Sequence, residues 1–179
     1  MYNSKTVKKF IDAIDVNKEN WENMQLTNCY AYALGIDLDI GREILLLGEI
    51  SGMNYGIRNA FDLKTALLFD AIRLDLEISE VDPAIKIPDE DSWLIAMFMT
   101  PFYVDEKFEK SYDYHFLRKT KYQNWTHKIG NSNNITNMDE DDKKINNPKY
   151  ANIMLDSNIP YNYIGSYLLT KKKKQIKVL

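Results

Sequence analysis

One cysteine, Cys29, and two histidines, His115 and His127, stand out in this chain as groups able to do nucleophilic chemistry. Cys29 lies in Thr27-Asn28-Cys29-Tyr30-Ala31-Tyr32-Ala33-Leu34-Gly35. Thr27 and Asn28 are good N-cap types, the Ala-Tyr-Ala-Leu run suits a short helix, and Gly35 is a natural stop. A cysteine in the first turn of a helix faces unpaired backbone N–H groups and the positive end of the dipole, which favour thiolate over thiol. The same amides can form an oxyanion hole. The competing expectation is a small buried hydrophobe, the usual fate of a lone cysteine.

His115 and His127 are twelve residues apart, on two segments that read as neighbouring strands. Tyr112–Arg118 and Asn124–Lys128 alternate in polarity, and the short polar Lys119–Gln123 between them suits a hairpin turn. The chemistry of such a set is simple. A thiolate attacks a carbonyl, an imidazole takes the thiol proton and returns it to the leaving group, and a third polar group holds the imidazole's tautomer. Cys29, His115 and His127 can fill those roles in that order. A zinc site formed by the same three side chains is a further alternative, for which no fourth ligand is evident.

The elements that must position these residues follow from periodicity. Val7, Phe10, Ile11 and Ile14 have helical spacing, predicting a short amphipathic helix over Ser4–Ile14. Asp15–Thr27 is polar; Trp21, Asn23 and Gln25 precede the cysteine, and an amide there can donate to an oxyanion or simply be solvated. Gly41–Gly56 reads as a long connection wrapping beside the cysteine helix, without a dinucleotide fingerprint or P-loop. Asn59 caps the clearest helix, predicted to run to Ile78, with Asp70 inside its apolar stripe as an edge residue or a buried polar contact. Val81–Asp91 is a linker, Trp93–Thr100 a central strand, and Tyr161–Leu169 a last strand. Gly130–Pro148 is a polar loop; its Met138-Asp-Glu-Asp-Asp-Lys run lacks the ligand spacing of a calcium loop. Arg118 and Lys128 read as solvated strand ends, and the Tyr30, Tyr32, Tyr112, Tyr114 and Trp125 set mostly as core.

Composition narrows the classes. At 179 residues the chain suits a single domain over 1–179, with a basic C-terminal tail at 170–179. A net charge of −3 offers no electrostatic footprint for nucleic acid. One cysteine excludes internal disulfides and multi-cysteine zinc sites. The N-terminal sequence lacks a signal-peptide core and no apolar run is long enough to span a bilayer, so the expectation is a soluble, cytoplasmic protein without a membrane partner.

A helix-borne Cys followed by His on one strand and a polar residue on the next resembles the papain-like fold, particularly its NlpC/P60-type branch. Asn28-Cys29-Tyr30-Ala31-Tyr32-Ala33 is similar to the Asn-Cys-Tyr-x-Tyr-Ala signature of small bacterial and phage proteins in that superfamily. Gly48-Glu-Ile-Ser-Gly52, Asp113-Tyr-His-Phe-Leu-Arg118 and Trp125-Thr-His-Lys-Ile-Gly130 resemble their recurring blocks, in the expected order from about Thr27 to Leu169. The resemblance implies an α+β fold, N-terminal helices packed on a C-terminal antiparallel β-sheet, and Cys29 as nucleophile, His115 as general base and acid, and His127 as orienting residue, with Asn124, Asn131 or Asn137 as alternative orienting residues because asparagine fills that position in some papain-like enzymes. It implies a cysteine hydrolase acting on a peptide or related amide, needing no cofactor. The chain departs from the wall peptidases of that branch in lacking Asp-Cys-Ser-Gly at the nucleophile. A papain-like scaffold that has lost activity and acts as a binding or inhibitory module is the alternative.

Overall fold

A computed structural model describes residues 7–10, 27–38, 44–54, 57–104, 107, 109–129, 135–156 and 158–172. In chain order the elements are β1 (Val7–Phe10), α1 (Cys29–Leu34), β2 (Ile36–Leu38), α2 (Ala60–Arg73), β3 (Leu76–Val81), β4 (Ser92–Met99), β5 (Tyr103–Val104), β6 (Lys110–Ser111), β7 (Tyr114–Lys119), β8 (Thr126–Lys128), β9 (Ile135–Thr136), β10 (Met154–Asp156), β11 (Ile159–Pro160) and β12 (Asn162–Lys171). The class is α+β, with two N-terminal helices packed against a six-stranded antiparallel sheet of order β3-β12-β4-β7-β8-β9.

The run Ser92–Met99 forms the sheet's middle because it is apolar on both faces, and every residue of it is buried. Trp93, Ile95 and Met97 face the helices and pack with Tyr30, Leu34, Leu67 and Phe116. Leu94, Ala96 and Phe98 face the other way, into a second cluster with Leu117, Trp125, Ile153 and Tyr161. Strand β12 inserts between β3 and β4, so the C-terminal strand completes the centre of the sheet rather than its edge.

Three expectations are corrected. The predicted Ser4–Ile14 helix is, at Val7–Phe10, an antiparallel strand paired with β2 (Phe10↔Ile36, Val7↔Leu38). A helix that short is marginal by itself, and pairing to a strand fixed by α1 overrides its periodicity. Trp21, Asn23 and Gln25 lie outside the described residues. The helix predicted to reach Ile78 ends at Arg73; the Leu74 amide bonds back to Asp70 and Ala71, and Asp75 turns the chain at φ 60°. Ile78 then sits in β3 opposite Leu169. The polar 130–148 segment carries an edge strand, β9, and a Met138–Lys144 bridge. Among the described residues no helix is long and apolar enough to cross a membrane.

Candidate active site

Helix α1 has only six residues, too few to persist without tertiary support, and its ends are tied accordingly. Asn28 Oδ1 accepts the Ala31 N–H at 3.2 Å, while its Nδ2 donates to the Leu45 carbonyl at 2.8 Å. Thus one side chain caps the helix and pins the connection wrapped beside it. At the far end Gly35 takes the left-handed conformation (φ 67°), and its N–H returns to the Tyr32 carbonyl. The last carbonyls also accept from the sheet below, Trp93 Nε1 at Ala33 and Arg118 Nη1 at Tyr32. Asp70 of α2 completes the frame. It is fully buried and accepts from the Tyr30 hydroxyl (2.8 Å), the Gly48 N–H (2.7 Å), and the Ser51 N–H and Oγ. Burial raises its carboxyl despite those bonds.

The cysteine meets the sheet where two strands part. The last β7–β8 pair is Leu117↔His127, so β8 leaves the Tyr114–Phe116 end of β7 uncovered. The Cys29 thiol fills that place: Sγ donates to the Tyr114 carbonyl at 4.0 Å, and the Phe116 amide points at the sulfur. The amides of Cys29 and Tyr30 at the helix start also favour the thiolate. Burial outweighs them, and with Asp113 nearby the thiol is pushed up to about 12.

His115 and His127 are joined directly, Nε2 to Nδ1 at 2.9 Å, with the rings edge to face. His127 Nε2 lies 2.9 Å from the Met138 carbonyl oxygen. A carbonyl only accepts, so His127 carries its proton on Nε2 and presents a bare Nδ1. That Nδ1 must accept, so His115 carries its proton on Nε2 and is left with a lone pair on Nδ1. Burial, and after it the neighbouring His127, push His115 down to about 3. Burial lowers His127 as well, while the Met138 carbonyl, Glu140 and Asp139 oppose that fall. Both imidazoles are therefore neutral at physiological pH. The Tyr161 ring lies 5.5 Å from that of His115, and its hydroxyl donates to Asp113 Oδ2 at 2.6 Å. The Asp113 carboxylate also accepts the Tyr114 N–H.

Cys29, His115 and His127 line one cleft of about 400 Å³, bounded by Ile44, Leu46, Ile153 and Tyr161. The bond joining the histidines is direct, whereas the thiol's bond goes to the backbone of the His115 strand. Of the alternative orienting residues, Asn124 is exposed, Asn137 gives its carbonyl to Ile145, and Asn131 lies outside the described residues. Two residues read as solvated are buried instead. Arg118 lies under α1 and over the Trp93 ring, and Lys128 is fully covered on the same face as Thr126. Their hydrophobic stems and a covering helix make this possible, which strand periodicity does not reveal. The sequence reading also missed Tyr161, Asp113 and the Met138 carbonyl; the Asp-x-His spacing placed Asp113 beside the histidine, but nothing local marked the other two. Among the described residues no group of three or more His, Cys, Asp or Glu is placed to hold a metal ion. No family model, curated protein or solved structure matches the chain.

Proposed function

We propose that the protein is a cysteine hydrolase cleaving a peptide or related amide bond through a thioester on Cys29, within the papain-like, NlpC/P60-type group. The observation that carries this reading is the directional chain from the Met138 carbonyl through His127 to His115, which leaves the lone pair on Nδ1 of His115, a residue that lines the same cleft as Cys29. The α+β frame, with the cysteine at a helix start and the histidines on adjacent strands, supports the same assignment.

With thiol and imidazole both neutral at rest, attack is concerted with proton transfer. The thiol proton passes to His115 Nδ1 as sulfur bonds to the substrate carbonyl carbon and the carbonyl π electrons move to oxygen. The resulting imidazolium keeps its Nε2–H bond to His127, which stays neutral. Collapse of the tetrahedral intermediate breaks the C–N bond, and His115 returns the proton to the leaving nitrogen. Water then attacks the thioester with His115 again as base, releasing the carboxylic acid and restoring the thiol.

Burial of the thiol, 7% exposed and with a raised pKa, favours a second reading: an inactive scaffold that binds a peptide in this cleft. Intact-mass measurement after acid quench of a reaction with N-acyl peptide p-nitroanilides separates the two. The hydrolase reading expects an acyl adduct that hydroxylamine removes and that is absent from Cys29→Ala and much reduced in His115→Ala. Peptide bound equally by wild type and Cys29→Ala, and recovered uncut, would overturn it in favour of the scaffold.

A further inference from the structure

The cleft that holds Cys29 and His115 has a wall that the chemical steps do not use. Along Ile44-Leu45-Leu46-Leu47 burial alternates. Leu45 and Leu47 are 2% and 1% exposed and belong to the core, whereas Ile44 and Leu46 are 45% and 47% exposed and line the cleft. Aliphatic side chains left in water forgo the stabilisation of burial. These two face water inside a concave site, where a ligand can cover them.

The wall is fixed in place by bonds at three successive residues. Leu45 engages the Asn28 side chain through both its N–H and its carbonyl, the Leu46 N–H donates to Glu49 Oε2 at 2.9 Å, and the Leu47 N–H donates to the Tyr114 hydroxyl at 3.0 Å. Asn28 directly precedes Cys29, and Tyr114 directly precedes His115. The neighbours of nucleophile and base therefore set the wall beside them, and little ordering is needed when a ligand binds. Ile129, 47% exposed and next after β8, lines the cleft too, as do Ile153 and Leu155. Among the described lining residues the charged side chains are Asp113 and Glu140, both acids. The Asp113 oxygens already accept the Tyr114 N–H and the Tyr161 hydroxyl. The described cleft thus offers aliphatic surface and negative charge, and no Lys or Arg to receive a carboxylate.

We propose that Ile44 and Leu46 form a specificity subsite for a bulky aliphatic or aromatic side chain next to the scissile amide, and that acidic side chains are rejected there. The inference rests on the hydrolase reading in treating the ligand as a substrate.

The test uses wild type, Leu46→Ala and Cys29→Ala, with folding checked by circular dichroism. Internally quenched peptides carrying Leu, Phe, Gly, Lys or Glu in turn at each position report kcat and KM, and mass spectrometry locates the cut. One methylene in an apolar pocket changes kcat/KM by about tenfold or more, so Leu or Phe beside the cut should exceed Gly by at least about tenfold, with Glu below Gly. Leu46→Ala should lower the Leu-to-Gly ratio at least about threefold, through KM rather than kcat, because the wall is touched equally in ground and transition states. Labelled peptides titrated into Cys29→Ala, with and without Leu46→Ala, and followed by fluorescence anisotropy read the same preference without cleavage. Equal handling of Leu and Gly peptides, or a preference for Lys or Glu over Leu, would overturn the proposal. So would an unchanged Leu-to-Gly ratio in folded Leu46→Ala. Failure of the hydrolase reading looks different: the Leu preference persists in binding, which supports the subsite, while no peptide is cut and no acyl adduct forms.

Discussion

Cys29 offers a direct measure of how far burial overrides its position at a helix start. Burial pushes the thiol from 9.0 up to about 12. At neutral pH the thiolate is then ~1,000-fold scarcer than in an unfolded chain. A less acidic thiol is a better nucleophile once ionised; a Brønsted slope of ~0.45 returns a factor of ~20. The net expectation is alkylation ~50-fold slower in the folded protein than in the same protein in urea, before any further slowing from the 7% exposure of the residue. With a single cysteine, intact mass after timed iodoacetamide treatment reads the rate without peptide mapping. His115→Ala should leave the resting rate near the wild-type value, because the imidazole holds no thiol proton at rest. Fast alkylation at pH ~5–6, abolished by His115→Ala, would refute the reasoning: it would show a resting thiolate–imidazolium pair, with the helix amides and imidazole prevailing over desolvation.

Other expected outcomes test the frame. His115, pushed from 6.5 down to about 3, contributes stability that is fully present above 6.5 and is lost as pH falls towards 3. The loss from this group should reach about 3 kcal/mol at pH ~4, measured by urea unfolding, and should be missing from His115→Gln. Asp70 has the opposite sign: its carboxyl is raised above 3.8, so its titration favours the folded state most below 3.8 and progressively less as pH rises through the folded value. Asp70→Asn removes that slope and turns an amide donor towards the surrounding donors, at a cost of ~2–4 kcal/mol in the same assay at neutral pH. Gly35→Ala drives a Cβ into Arg118 Nη1 at a backbone φ of 67°, and should cost ~2–3 kcal/mol of stability, read by urea unfolding.

Much of the local structure was legible in the sequence. Asn28 and Gly35 bound α1, Asn59 caps α2, the Trp93 run is the sheet's middle, and the two histidine segments are adjacent strands. Each depends on interactions within a turn of helix, along one strand, or across one short hairpin, so residue types a few positions apart suffice. The connection read over Gly41–Gly56 holds neither helix nor strand at residues 44–54, the part of it that is described, as its glycines and lack of period suggest. The same local logic failed at Val7–Phe10 and Leu76–Val81, where pairing to distant strands outweighs helical spacing.

The site itself was divided between the two levels. Which side chains have the chemistry follows from composition: one cysteine and two histidines, in an order that suits nucleophile, base and orienter. What state they are in was decided only by the fold. The bonds that set it span 85 residues from Cys29 to Tyr114, 40 from Tyr30 to Asp70 and 94 from Tyr32 to Thr126. The Met138 carbonyl that directs the histidine tautomers carries no mark in its side chain, and Lys128 reads as solvated until a helix is laid over it. Capping and periodicity act between chain neighbours and can be read in order along the sequence. Desolvation depends on everything that surrounds a group, and here it reverses the charge state that the helix start alone would favour.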